Sequence, residues 1–125
     1  MKDPITFQSR VYRQAINAFG QEHADNKAIR THRFVEEACE LVQALNCPKE
    51  EVLRIVDYVY GRPKGDVFQE VGGVLITLNA LCAAVKVGTH WAGEAELERI
   101  ETILGHSPDF FRNRSANKPD FTKEG

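Results

Sequence analysis

The sequence predicts an all-α protein, a bundle of helices whose small size favours association into oligomers. Apolar residues recur every three or four positions in five segments, and Gly, Pro and Asn separate those segments. Apolar residues make up 42% of the 125 residues, which is enough for the core of one domain. A monomer of this size buries only about two thirds of its unfolded surface, so association would bury more apolar area. We expect a helical domain over residues 1–105 and a polar, Pro-containing tail or arm over 106–125.

The five predicted helices are delimited by residues that start or stop helices. Gly20 ends the first helix, and Asp25 is a plausible N-cap of the second. Pro48 fits the first position of the third helix, and Gly105 stops the fifth. The fourth is the most apolar and is expected to lie at the centre of the bundle. In order, the predicted helices cover residues 6–19, 26–46, 48–60, 66–87 and 90–104.

Composition excludes several classes of protein. A net charge of −2 and a pI near 6.1 argue against binding to polymeric nucleic acid, which usually requires a strongly basic surface. Cys39, Cys47 and Cys82 are odd in number and lack C-x-x-C spacing, so they are expected to be core thiols in a reducing compartment. No uninterrupted apolar run reaches the ~18 residues of a membrane span, and the first residues lack the apolar region of a signal peptide. We expect a cytoplasmic protein that does not bind membranes.

The most informative stretch is Glu36-Glu37-Ala38-Cys39-Glu40 in the second predicted helix. At about 100° per residue, its three carboxylates share an arc of about 100° opposite the apolar residues of the same helix. Like charges this close cost roughly 0.2–0.5 kcal/mol per pair, and a divalent cation such as Mg²⁺ would offset that cost. The alternative is a solvated acidic face on which Arg33 forms a surface ion pair. A second acidic site opposite the triplet is needed to favour metal binding.

The fourth predicted helix carries that second acidic site. Asp66, Glu70, Gly73 and Thr77 fall within about 60° of one another on an otherwise apolar helix. A carboxylate on a core helix is costly unless it is paired or bound to metal, although an exposed first turn or a buried salt bridge would also accommodate Glu70. Asp66-x-x-Gln69 resembles a capping box, so Asp66 is predicted equally as an N-cap and as a metal ligand.

Two adjacent glycines, Gly72 and Gly73, lie inside the same predicted helix. Each costs roughly 1 kcal/mol relative to alanine in a helix interior, so some other requirement must offset this cost. Close approach of another helix is one explanation. Room for a metal-bound phosphate beside Glu70 is the other.

Taken together, these residues resemble those of a known family. Glu36-Glu37-x-x-Glu40 followed by Glu70-Val71-Gly72-Gly73 is similar to the E-E-x-x-E and E-x-x-D motifs of the MazG-like all-α nucleoside triphosphate pyrophosphohydrolases. Gly73 stands where the family has Asp, and Asp66 is the nearest substitute around the helix. The tract from Gly61-Arg62-Pro63 through Val74 resembles a phage-associated branch in which the glycine pair is normal and some members act on purine deoxynucleotides.

The resemblance implies a MazG-like helical bundle with a four-helix core, in which the second and fourth helices face each other. It implies hydrolysis of a (deoxy)nucleoside triphosphate, for example dGTP, to the monophosphate and pyrophosphate. Two or more Mg²⁺ or Mn²⁺ ions per site would be needed, since a carboxylate site receives a triphosphate only through bridging cations. The expected metal ligands are Glu36, Glu37, Glu40, Glu70 and Asp66. Glu37 and Glu40 are the expected catalytic residues, and the sequence does not choose the general base among the ligands.

Further residues are expected to bind the phosphates and the base, although most such residues are ordinary surface groups. The phosphate-binding candidates are Arg33, Lys64, Arg112, Arg114 and Lys118. The base-binding candidates are Phe7, His32, Asn79 and Trp91. The resemblance also implies a homo-oligomer, a dimer or a tetramer, located in the host cytoplasm if the gene belongs to a phage. Two alternatives remain: a degenerate, non-catalytic protein that binds nucleotide or metal, and a helical interaction module without a ligand.

Overall fold

The computed structural model describes residues 5–123, and all regular secondary structure within them is helical. This confirms the all-α class for the described part of the chain. The helices are α1 Phe7–Phe19, α2 Gln21–Ala24, α3 Lys27–Ala44, α4 Lys49–Tyr60, α5 Val67–Ala84, α6 Thr89–His106 and α7 Phe110–Ala116.

The chain divides into two units, and α3 and α6 contribute residues to both. Unit 1 comprises Met1–Phe34 and Gly93–Gly125, and unit 2 comprises Val35–Ala92. Within unit 1, α1 packs against α2 and α7. The predicted four-helix core, by contrast, stays a prediction.

The start of α1 follows from its sequence. The hydroxyl of Thr6 accepts a hydrogen bond from the Ser9 N–H at 3.0 Å, and the Ser9 hydroxyl accepts one from the Thr6 N–H at 3.0 Å, so the two residues form a capping box. Gly20 ends the helix at φ 90°, a conformation that glycine adopts without steric cost. The predicted helix 6–19 is confirmed.

The predicted cap of the next long helix was wrong by one residue. The side chain of Asn26, and not that of Asp25, accepts the Ile29 N–H at 3.0 Å and caps α3. Asp25 instead follows α2, a short helix that the sequence analysis missed. Its carboxylate accepts hydrogen bonds from the Tyr12 hydroxyl at 2.7 Å and from the Gln21 amide at 2.8 Å, and so ties α1 to α2.

The later helices begin and end close to the predicted residues. Pro48 is the N-cap of α4 and not its first residue, and Asp66 is the N-cap of α5. Gly105 lies inside α6, which continues to His106, so the predicted stop was wrong. The stretch predicted as a tail contains α7, which packs on α1.

The few buried residues of the described chain lie in unit 1: Ala18, Ala24 and Leu97. An ion pair joins α1 to α6 in unit 1. The guanidinium of Arg10 donates to both carboxylate oxygens of Glu94, at 2.6 and 2.8 Å. Such two-point pairs fix the relative position of the groups that they join.

Unit 2, all of which the structure describes, contains no buried residue. Most of its large apolar side chains are exposed, along α3, α4, α5 and the segments that follow. We call this set the apolar surface of unit 2, and it consists of Val35, Leu41, Leu45, Leu53, Ile55, Val56, Tyr58, Val59, Tyr60, Val67, Phe68, Val71, Val74, Leu75, Ile76, Val85, Val87 and Trp91.

One described helix, α5, is long and apolar enough to cross a membrane by length and composition alone. This was not predicted, because the sequence has no uninterrupted apolar run of that length, whereas polar residues are few enough for the helix as a whole to be apolar. Core helices of soluble proteins have the same length and composition.

Candidate functional site

The acidic residues predicted as metal ligands lie in unit 2. Glu36, Glu37 and Glu40 are on α3, while Glu70 is in the first turn of α5 and Asp66 caps that helix. Glu36 is half-buried and the other four are exposed. Glu36 and Glu37 each engage another group of the protein. The acids that the sequence singled out therefore belong to one unit of the structure.

Asp66 has a defined structural role. Its Oδ2 accepts the Gln69 backbone N–H at 3.1 Å, which satisfies one of the N–H groups that every helix start leaves without an intrahelical partner. Of the two roles that the sequence left open, the N-cap is thus present in the structure. Metal ligation by Asp66 stays a prediction.

The carboxylate of Glu70 folds back over the loop that precedes α5. A Cβ added at Gly65 would lie only 2.5 Å from Oε1 of Glu70 and 3.1 Å from its Cδ. Glycine at this position therefore makes room for the carboxylate. This feature was missed by the sequence analysis, which treated 61–65 only as a connecting loop.

The glycine pair in α5 faces open space. A Cβ added at Gly72 or at Gly73 would meet nothing within 4 Å. A close contact with another part of the chain, one of the two explanations drawn from the sequence, is therefore not what the pair serves here. Near it, the hydroxyl of Thr77 donates to the carbonyl oxygens of Gly73 at 2.9 Å and Val74 at 3.1 Å, which satisfies that side chain within its own helix.

The carboxylates fit a divalent cation by chemistry but not by placement. Five carboxylates supply the hard oxygen donors that Mg²⁺ and Mn²⁺ prefer. Among residues 5–123, however, no group of three or more His, Cys, Asp or Glu side chains is placed to hold a metal ion. The described chain therefore does not present a preformed metal site.

The predicted phosphate-binding cations divide between the two units. Lys64 precedes α5 in unit 2, in the same loop as Gly65. The other four belong to unit 1: Arg33, Arg112, Arg114 and Lys118. Arg112 lies 3.7 Å from the Asp109 carboxylate, a distance typical of an exposed surface ion pair.

The predicted base-binding residues have different surroundings. His32 meets Phe121 edge to face at a centroid distance of 6.0 Å, and Phe7 packs on Gly93, whose added Cβ would lie 3.1 Å from the ring. The amide of Asn79 donates to the Leu75 carbonyl oxygen at 2.8 Å within α5. Trp91 is 76% exposed and meets His90 edge to face at 5.6 Å. Of the four, Trp91 presents the most open aromatic surface.

A cluster in unit 1 was missed by the sequence analysis. The ring of His23 stacks on Phe19 at a centroid distance of 4.3 Å, and the Arg30 guanidinium lies 5.2 Å from the same Phe19 ring. Arg30 Nη2 donates to Nδ1 of His23 at 3.2 Å, which requires the neutral imidazole with its proton on Nε2. Burial, together with the nearby Arg30 charge, lowers the pKa of His23. Phe19 is the last residue of α1 and His23 lies in α2, beyond Gly20 at φ 90°, so the spacing of the two residues in the sequence does not reveal that their rings stack.

Comparisons with family models, with curated proteins and with solved structures give no match. The resemblance to MazG-like enzymes therefore rests on the residue pattern of α3 and α5 alone.

Proposed function

We propose that the protein is a metal-dependent nucleoside triphosphate pyrophosphohydrolase. It would cleave a (deoxy)nucleoside triphosphate, such as the purine nucleotide dGTP, to the monophosphate and pyrophosphate. The observation that carries this proposal is that Glu36, Glu37 and Glu40 on α3 belong to the same unit as Glu70 on α5. These acids stand at the positions of the family's E-E-x-x-E motif and of the first residue of its E-x-x-D motif, whose Asp is replaced here by Gly73.

Electrostatics supports the proposal. Three carboxylates within five residues repel one another, so replacing one of them by a neutral residue would relieve repulsion within the helix. The presence of all three is therefore better explained by a function that requires them. A cofactor of two or more Mg²⁺ or Mn²⁺ ions would make this acidic surface attractive to a polyanionic substrate. Because the described chain does not gather the ligands, we assign no catalytic step to the metal.

The remaining assignments follow from position. Lys64 is the phosphate-binding candidate nearest in the chain to Glu70, and it lies in the same unit. Arg33, Arg112, Arg114 and Lys118 belong to unit 1, and their role stays a prediction. Trp91 is the leading candidate for stacking on the base because its ring is open to solvent. Asn79, in the same unit, would contact a polar edge of the base, and the role of His32 in unit 1 stays a prediction. The enzyme would act as a homo-oligomer in the cytoplasm, where its three free thiols stay reduced.

A helical interaction module without catalytic activity is the second candidate function. The apolar surface of unit 2 favours it, since exposed apolar area of this extent marks binding surfaces in folded proteins.

The decisive experiment is a panel of natural nucleoside triphosphates incubated with Mg²⁺ or Mn²⁺, with chemical identification of the products. We expect a monophosphate and pyrophosphate. Glu40→Gln should lose at least ~10²-fold of this activity with an unchanged circular dichroism spectrum, because one ligand is lost. Glu50→Gln, an exposed carboxylate on α4, is the matched control and should keep wild-type activity.

Three results would count against the proposal. A nucleoside diphosphate and orthophosphate as products would contradict the cleavage position. Full activity in Glu40→Gln would remove Glu40 from the site. No turnover of any triphosphate would favour the interaction module or a non-catalytic nucleotide-binding protein.

A further inference from the structure

Unit 1 contains a half-buried cation whose charge no acidic group of the described chain neutralises. Arg30, in the first turns of α3, keeps its positive charge at physiological pH. Burial, together with the charge of Arg33 one turn further along the helix, lowers its pKa. Among residues 5–123, no carboxylate pairs with the Arg30 guanidinium. A charge that is withdrawn from water without an ionic partner destabilises the fold, so an anion bound at this position would be stabilising.

Two neutral rings hold the Arg30 guanidinium in place. Its Cζ lies 5.2 Å from the centroid of the Phe19 ring, and its Nη2 donates to Nδ1 of His23 at 3.2 Å. The rings of Phe19 and His23 stack on each other at a centroid distance of 4.3 Å, which fixes both partners of the arginine. A cation–π contact and a hydrogen bond to a neutral imidazole orient the guanidinium but do not neutralise its charge. A donor that is oriented before binding loses less entropy when a ligand arrives.

The individual nitrogen atoms of Arg30 show which donors are left for a ligand. Nε is buried and has no partner, so protein atoms cover that side of the group. Nη2 uses one of its two N–H groups for His23. Nη1 forms no hydrogen bond within residues 5–123 and is not one of their buried unpartnered atoms, so it is open to solvent. The donors left for a ligand are therefore those of Nη1 and the second N–H of Nη2, and two N–H groups of one guanidinium match two oxygens of a phosphate or a carboxylate.

A second arginine lies at the same junction of α1 and α2. Nη2 of Arg112, on α7, would lie 4.0 Å from a Cβ added at Gly20, the residue that follows Phe19. Phe111, its neighbour in the chain, packs against the Phe19 ring at a centroid distance of 6.2 Å. The exposed carboxylate of Asp109 lies 3.7 Å from Nη1 of Arg112 and neutralises its charge only in part. Helix α7 therefore adds a second positive charge beside the Phe19 ring, and two cations favour a doubly charged phosphate over a carboxylate.

We propose that Arg30 and Arg112 form a phosphate-binding site at the junction of α1 and α2. The ligand is a phosphate group, either free inorganic phosphate or the terminal group of a small phosphomonoester. Its oxygens accept hydrogen bonds from the open donors of Arg30, and its negative charge offsets that of the half-buried guanidinium. The site belongs to unit 1, whereas the predicted metal ligands belong to unit 2, so phosphate binding here requires neither metal nor hydrolysis of a triphosphate.

The test measures the binding of inorganic phosphate by isothermal titration calorimetry, without metal and with chloride holding the ionic strength constant. We expect one saturable site in the wild type. Arg30→Gln should bind phosphate at least about tenfold more weakly, because charge-assisted hydrogen bonds are lost. Arg54→Gln, the same change at an exposed arginine of α4, is the matched control and should bind phosphate like the wild type.

A second measurement uses the wild type alone, because Arg30→Gln could simply fail to fold. Phosphate at a concentration equal to its dissociation constant should reduce the rate at which phenylglyoxal modifies Arg30 by about half, whereas the rate at Arg54 should not change. Mass spectrometry of the peptides follows both sites in the same sample. Repeating the titration with ribose 5-phosphate distinguishes the two sources of the phosphate group. Tighter binding than that of inorganic phosphate would identify a phosphomonoester as the ligand, and weaker binding would identify the free ion.

Three outcomes would overturn the proposal. One is the absence of saturable binding of either compound to the wild type at concentrations up to about 50 mM. Another is a folded Arg30→Gln that binds phosphate as tightly as the wild type. The third is equal weakening in Arg54→Gln, or equal protection of Arg54 from phenylglyoxal, which would show attraction of anions to positive charge in general and not to a site. None of these measurements uses a triphosphate or a metal, so they decide on this site whether or not the protein is a hydrolase.

Discussion

Replacing Gly65 by alanine would test whether Glu70 works in the position that the structure gives it. A Cβ at residue 65 would lie 2.5 Å from Oε1 of Glu70, whereas ordinary van der Waals contact begins at 3.4 Å. The carboxylate would therefore have to move by about 1 Å. It is the end of an exposed, flexible side chain, so we expect the thermal midpoint of the variant to stay near that of the wild type.

The same displacement should reduce activity if Glu70 is a ligand. A misplacement of about 1 Å can cost about 10²-fold in rate when the group must hold a defined geometry. Since Glu70 can also adopt other rotamers, we expect kcat/KM of Gly65→Ala to fall by a factor between about 3 and about 100, with a higher Mg²⁺ concentration at half-maximal rate. The assay is pyrophosphate release as a function of Mg²⁺ concentration.

Gly105→Ala is the matched control for this experiment. It is the same change, it lies in α6, and its added Cβ would meet nothing within 4 Å. It should keep wild-type activity and gain up to about 1 kcal/mol of stability from helix propensity. Wild-type rates and Mg²⁺ dependence in Gly65→Ala would refute the reasoning. In that case, Glu70→Gln would show what Glu70 does. An inactive Glu70→Gln would mean that Glu70 acts from another position, and an active one would place Glu70 outside the site.

Two further predictions concern the glycine pair and the unit 1 cluster. Gly73→Asp should not raise the initial rate, although it restores the family's acid. Asp66→Asn should lower the initial rate if Asp66 is a ligand. Because asparagine preserves the cap to Gln69, a lower rate would not come from loss of the helix cap. A faster Gly73→Asp together with an unaffected Asp66→Asn would contradict this. For His23, the folded state favours the neutral imidazole, so the ring takes up a proton more easily in the unfolded state. The free energy of unfolding should therefore fall as the pH drops below about 6.5, and it should level off once the pH is below the lowered pKa of the folded state. Urea denaturation from pH 7.5 to 5 should show a flatter profile for His23→Gln, and an equally steep one would exclude His23 as the cause.

Local signals in the sequence were enough to define the long helices. Apolar periodicity, the glycine at position 20 and the breaker Asn46-Cys47-Pro48 depend only on nearby residues, and they gave the bounds of α1, α3 and α4 to within one or two positions. The cap of α3 was misassigned because Asp25 and Asn26 have similar N-cap preferences, and the contact of Asp25 with Tyr12 is not visible in sequence. Helix α7 was missed because its neighbourhood is polar and its packing partner, α1, is distant in the chain.

The candidate site was less predictable than the helices. Angular position around a helix shows which side chains share a face of that helix. It identified the acidic face of α3 and, separately, the acidic residues at the start of α5. It does not show how far apart two helices lie, which depends on what packs between them. The position of Glu70 over Gly65 depends on loop geometry, and the role of Asp66 as a cap was decided by a single backbone hydrogen bond.

The missing core of unit 2 and its missing metal cluster have one physical explanation. Helices that carry ligands are held at a fixed separation by the apolar side chains packed between them, and unit 2 has not buried those side chains within one chain. Without that packing, nothing forces the carboxylates of α3 towards Glu70, and their mutual repulsion favours separation.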